Sequence, residues 1–170
     1  MRTRINIQVW LLCLALWLPA IPAVAESLSM QDREDINRLR AAQGHSAEEV
    51  NQLLDQVSKA GERGLPIEPL ANKVREGLAK GVEPKRIDSV LRQMVTHLTS
   101  AQEVLQESMT KGMVDQGHGN RQRAVESLAE ALGRGTTADE VRELAQAGQR
   151  HGEKMSPDTL GVGAKSLAVI

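Results

Sequence analysis

From about residue 29 onward, apolar residues recur at intervals of three and four, the period of helices with one buried face. Val50, Leu53, Leu54 and Val57 form the clearest stripe and predict a helix over 47–61. Leu70, Val74 and Leu78 predict another over 67–79, where Ala71 and Gly77 thin the same face and let a partner approach closely. A longer stripe runs through Ile87, Leu91, Met94, Leu98, Ala101, Leu105 and Met109, starting at Pro84 and meeting no breaker before Gly112. As one helix it would be roughly 40 Å long. The polar run from Thr96 to Ser100 is where it would divide, and the continuous helix is the reading adopted. Val125, Leu128, Ala129 and Leu132 predict a helix over 121–133, and Val141, Leu144, Ala145 and Gly148 one over 138–150. The two ends are weaker. Residues 29–42 carry only Ile36 and Leu39, and the helix starting at Pro157 with Leu160 is diluted by Gly161 and Gly163. No period-two alternation persists, so strands are not expected.

The joints between these segments repeat. Aligned on a glycine, Gly44-His-Ser-Ala-Glu-Glu-Val50, Gly64-Leu-Pro-Ile-Glu-Pro-Leu70, Gly81-Val-Glu-Pro-Lys-Arg-Ile87 and Gly135-Thr-Thr-Ala-Asp-Glu-Val141 share one layout. Lys154-Met-Ser-Pro-Asp-Thr-Leu160 follows it without the glycine. The starts lie 20, 17, 54 and 19 residues apart, and the long gap points to a weak copy at Gly119, with Val125 at its sixth position. Each glycine is placed to end a helix in the left-handed conformation. Ser46 with Glu49, and Thr137 with Glu140, are spaced as capping boxes. Pro84 and Pro157 suit a first helical position, where the missing N–H costs nothing. Such short links set neighbouring helices antiparallel. The glycine-bearing stretch from Met113 to Asn120 is the clearest loop.

The first 25 residues read differently. Arg2 and Arg4 precede an apolar run from Val9 to Leu18, and Ala23-Val24-Ala25 has the spacing of a signal-peptidase site. The run is about half of what a membrane span needs. Cys13 lies inside it after bulky Leu12, which does not suit a lipoprotein. The expectation is therefore a signal peptide over 1–25, cleaved between Ala25 and Glu26. Residues 26–170 would then form a single all-helical domain of degenerate hairpin repeats, periplasmic or secreted.

Cleavage changes the chemistry available. Trp10, Trp17 and Cys13 are the only Trp and Cys of the chain, which has no Phe or Tyr, so residues 26–170 contain none of the four types. A thiol nucleophile, a disulfide framework and Cys-ligated zinc are excluded. So is an aromatic platform for bases, sugars or quaternary amines. An exported, acidic chain without aromatic residues is not expected to bind nucleic acid.

Among titratable groups, His45, His97, His118 and His151 form no His-Glu-x-x-His pair. His45 and His151 lie at helix-ending turns, where an imidazole can meet unpaired carbonyls. His118, in Asp115-Gln-Gly-His118-Gly-Asn120, offers at most one or two metal ligands. His97 sits in the polar run of the long helix. No nucleophile elbow, Ser-x-x-Lys pair or phosphate loop appears. Gly77-Leu-Ala-Lys-Gly81 has glycine spacing near that of a phosphate loop, but it ends a helix where such a loop must begin one.

Residues 63–92 hold seven basic and four acidic residues and form the one net-positive stretch. Lys73, Arg75, Lys80, Lys85, Arg86 and Arg92 are the candidate binding face, for an acidic partner, anionic lipid or a polyanion. Glu68, Glu76, Glu83 and Asp88 interleave with them, as on an ordinary solvated helix face.

The phrase Gly64-Leu-Pro-x-x-Pro-Leu, Lys73-Val-x-Glu-Gly-Leu-Ala-Lys-Gly-Val and Pro84-x-Arg-Ile87 resembles one found in uncharacterised exported helical proteins of bacteria. The likeness covers about 46–98 and implies only a bacterial, exported, helical chain, with no catalytic residue to carry over.

Together these readings give an all-α fold of about seven helices. Antiparallel hairpins pack as an irregular bundle or short solenoid around the long fourth helix. The function expected is non-enzymatic binding of an envelope protein or peptide, or scaffolding, with no catalytic residue, cofactor or metal. A histidine- or metal-dependent hydrolase using His97 or His118 is the enzymatic rival. Contact with anionic lipid or a polyanion through the basic 63–92 face, with peripheral membrane contact, is the third reading.

Overall fold

The computed structural model describes residues 27–113, 117–150 and 155–168. The proposed leader, His151 and the last two residues of the apolar C-terminal run lie outside them. Among the described residues there are seven helices: α1 (Met30–Gln43), α2 (Ala47–Glu62), α3 (Glu68–Ala79), α4 (Pro84–Thr110), α5 (His118–Gly133), α6 (Ala138–Arg150) and α7 (Pro157–Leu167). No strand occurs among the described residues, and no helix there is long and apolar enough to cross a membrane. The fold is all-α, with α4 as its long central element.

The repeated joint is one hydrogen-bonded device. At Gly44, Gly64, Gly81 and Gly135 the backbone has positive φ. Each glycine N–H donates to the carbonyl three residues back, and the next N–H to the carbonyl five back. At Gly81 these bonds are Gly81 N to Leu78 O, 3.0 Å, and Val82 N to Gly77 O, 2.9 Å. Two carbonyls that α3 leaves unpaired are thereby satisfied, and the following side chain turns back onto the core. Leu65 and Thr136, which follow two of the other glycines, are buried.

The copy hidden in the long gap is at Gly112, not Gly119. Gly112 has φ 108°, its N–H donates to Met109 O, and Met113 N donates to Ser108 O. Gly119 lies inside α5, which begins at His118, three residues earlier than its apolar pattern predicts. The positive-φ residue that opens α5 is Gly117.

Capping departs from expectation at one site. Thr137 and Glu140 form the reciprocal box: Thr137 N donates to Glu140 Oε2 at 2.7 Å, and Glu140 N to Thr137 Oγ1 at 3.3 Å. Ser46 is the N-cap of α2, but its hydroxyl makes no capping bond. A further box, outside the repeated joints, caps α1, where Ser29 and Asp32 bond each other's backbone. Ser156 caps α7, accepting from Thr159 N.

The polar run inside α4 does not break it. Thr96 and Thr99 turn their hydroxyls onto the carbonyls of Arg92 and Val95, at 3.0 and 2.8 Å, so neither competes for a helix-breaking bond. α4 is continuous over 27 residues and serves two groups of helices. In its first half Ile87 lies against Gly77 of α3, and Asp88 bonds Gln56 of α2. Its second half buries Ala101, Val104 and Leu105 and reaches α6, where Arg142 pairs with Glu107 at 2.9 Å.

Packing is not limited to consecutive hairpins. α1 lies on α3, α2 on α4, and α5 on α7, so alternate helices touch. Polar links join alternate helices too: Gln56 bonds Asp88, and Arg63, just past α2, bonds Thr99 at 3.0 Å. Arg33 of α1 reaches Ser58 of the next helix.

α7 runs its full length despite Gly161 and Gly163. An added Cβ at Gly161 would lie 2.9 Å from Ser127 Cβ, and one at Gly163 would lie 2.8 Å from Leu144 Cδ2. The two glycines are therefore contact positions, which let α7 seat closely on α5 and α6. Burial of Leu160 and Ala164 more than offsets their helix-propensity cost of about 1 kcal/mol each.

Candidate functional site

Of the six candidate basic residues of the 63–92 stretch, four are ion-paired. Arg75 turns inward and pairs with Asp32 at 2.5 Å, each side chain 25% exposed, tying α3 to the first turn of α1. Lys73 and Lys80 converge on Glu76 at 2.6 and 2.5 Å. Their hydrogen bonds, from Lys73 first and then Lys80, push the Glu76 carboxyl down to about 2. Arg92 pairs with Asp88 along α4 at 2.9 Å. Lys85 and Arg86 stand exposed in the first turn of α4. The i,i+3 and i,i+4 spacing of the helix thus sets a carboxylate one turn away from Lys73, Lys80 and Arg92.

The histidines lie at separate places in the fold. At the α1–α2 joint, His45 Nε2 is buried without a hydrogen-bond partner; it is the His45 carbonyl that accepts, from Arg40 Nη1 at 3.4 Å. His118 opens α5 rather than lying in a loop. Among the described residues no group of three or more His, Cys, Asp or Glu side chains is arranged to hold a metal ion.

His97 lines a cleft. A volume of about 460 Å³ opens between the start of α3, the middle of α4 and the last two turns of α5. Its lining comprises Pro69 from α3, Met94, His97 and Leu98 from α4, and Glu126, Ala129, Glu130 and Gly133 from α5. Leu98 and Ala129 are buried, and Met94 packs half-buried on the same core, so the floor is apolar. His97 and the two glutamates supply the polar groups.

The helices set this arrangement. On α4, Met94, His97 and Leu98 recur at three and four and share a face. On α5, Glu126, Ala129, Glu130 and Gly133 do the same. Gly133 has a local reason to lack a side chain, because a Cβ there would lie 3.3 Å from His97 Nδ1. The imidazole thus packs against bare backbone at the C-terminal end of α5, where the partial charge of a helix is negative.

Electrostatically the cleft is acidic at its rim. Glu130 bonds Lys165 of α7 and Arg134 of its own helix, both at 2.5 Å. The hydrogen bond from Lys165 is the main cause holding its carboxyl below the usual range, with the charges of Lys165 and Arg134 adding to it. Glu126 is likewise engaged with a neighbouring group. No lining side chain carries a hydroxyl, thiol or amine beside the imidazole.

Sequence reasoning singled out His97 but none of its neighbours as site residues. Glu126, Glu130 and Gly133 lie about thirty residues away, and only the antiparallel return of α5 along α4 brings them to it. The signal available was the α5 repeat of Glu126 and Glu130 beside Ala129, which has the ordinary look of a helix flank.

Compared with models of protein families, with curated proteins and with solved structures, the chain matches none.

Proposed function

We propose that the chain is a non-enzymatic, exported helical module that holds a protein or peptide partner in the cleft between α3, α4 and α5. The observation that carries this reading is the make-up of the cleft. It has an apolar floor of Leu98, Met94 and Ala129 and polar groups confined to the rim, with no nucleophile beside His97. Its volume of about 460 Å³ suits one or two side chains of a docked segment. Export rests on the sequence of residues 1–25. The ion pairs of Lys73, Arg75, Lys80 and Arg92 favour this reading over a lipid- or polyanion-binding face.

The test is capture from a bacterial envelope extract by the protein and by a cleft-filled variant, Ala129→Met, with helical content compared first. The proposed role requires a partner retained by the former and lost from the latter. Partners held equally by both would place binding elsewhere. A measured hydrolytic turnover abolished by His97→Ala would replace the proposal with the enzymatic one.

A further inference from the structure

Resting on the binding role proposed for the cleft, we infer that its ligand is a peptide segment presenting a lysine or arginine side chain, with the aliphatic stem on the floor and the cationic head at the α5 rim. Three features of the cleft agree on a cation. Glu126 and Glu130 face it from successive turns of α5, and no lysine or arginine is among its lining residues. The C-terminal end of α5, stripped of a side chain at Gly133, adds the negative end of a helix dipole at the same rim.

The floor determines which cation. Met94, Leu98 and Ala129 offer hydrocarbon contact below the carboxylates. A metal ion or a bare ammonium gains nothing from that surface, whereas a long basic side chain uses both levels at once. Met94 adds an adaptable thioether, suited to stems of different length.

The protein already shows the pairing the ligand would use. Lys165 reaches from α7 to Glu130 at 2.5 Å, approaching the carboxylate from the side of α5 turned toward α7. Arg134 holds the other oxygen of the same carboxylate, also at 2.5 Å, so a ligand cation at Glu130 joins or exchanges an existing ion pair. Glu126, one turn earlier, has an interaction of its own, so the ligand head joins or exchanges an existing contact there.

The test uses a displayed library of random short peptides selected on the whole protein. Each selected peptide is then remade with every Lys and Arg replaced by Gln. Expected is selection of basic peptides whose affinity falls about tenfold or more on that replacement, and similarly on Glu126→Gln, since a charged hydrogen bond in a half-buried site is lost. Two blocking variants locate the binding: Ala129→Met fills the floor, and Met94→Lys supplies a tethered cation from α4. Either, if folded by its helical content, should abolish binding.

Peptides blocked by these variants but indifferent to their Lys and Arg content would overturn the inference and leave the binding role standing. Binding that neither variant blocks, or no selected peptide at all, would overturn both. A dimer seen in sedimentation and dissociated by Ala129→Met would overturn the inference in favour of a second copy of the chain as occupant.

Discussion

Ser46 and Thr137 occupy the same position of two copies of one joint, yet only Thr137 makes the capping bonds. Thr137→Ala should therefore cost about 1 kcal/mol, while Ser46→Ala should stay within about 0.5 kcal/mol; urea denaturation followed by circular dichroism separates the two. Glu76 gives a second residue-level expectation. Lys73 and Lys80 hold its carboxyl at about 2 against an ordinary 4.5. A group lowered on folding stabilises the native state above its unfolded value and loses that contribution as pH falls through the folded one. The Glu76 contribution is thus complete above about pH 4.5 and disappears toward pH 2. A carboxyl chemical-shift titration should find Glu76 still ionised at pH 3, and Glu76→Gln should flatten the acid limb of the stability curve. Exposed as this carboxylate is, its effect is small and sensitive to salt.

Among the elements, α7 shows where propensity and packing disagree. Its glycines argue against a helix when read locally, but both lie where α7 approaches α5 and α6 too closely for a Cβ. Gly161→Ala should consequently destabilise by about 1–3 kcal/mol despite its better helix propensity, a result opposite in sign to that expected on an exposed helix. Thermal unfolding of the variant decides between them. Helix existence, type and most boundaries were legible because the core stripes and turn glycines are local signals. α5 began earlier than its stripe because His118, Gly119 and Asn120 precede its first core residue and carry no apolar period. The joint at Gly112 is not legible for a similar reason: it lacks the cap and core aliphatic that follow the other glycines, and the feature shared by all five joints is the pair of bonds reaching backward. The cleft was not legible, since its two walls are brought together only by the turn between α4 and α5.

For the molecule as a whole, α4 is the shared element. Leu91 is buried in its first half and Leu105 in its second, each almost completely. Leu91→Ala and Leu105→Ala should each cost about 2–5 kcal/mol. Because both stripes belong to one uninterrupted helix, either substitution should lower the stability measured in both halves. Amide hydrogen exchange on α2 and on α6 reports this directly; protection lost in one half alone would show that the halves open independently.

A continuous α4 also bears on how the chain is made. Synthesis delivers residues in order, so α1 to α3 can close over Ile87 and Leu91 while α5 to α7 have yet to emerge. Ala101, Val104 and Leu105 then extend from a finished half as an open apolar ridge until the chain beyond Gly117 arrives to cover it. The single helix that joins the halves creates a nascent intermediate with one folded end and one adhesive end, and that is the stage at which a holding chaperone would have something to grip.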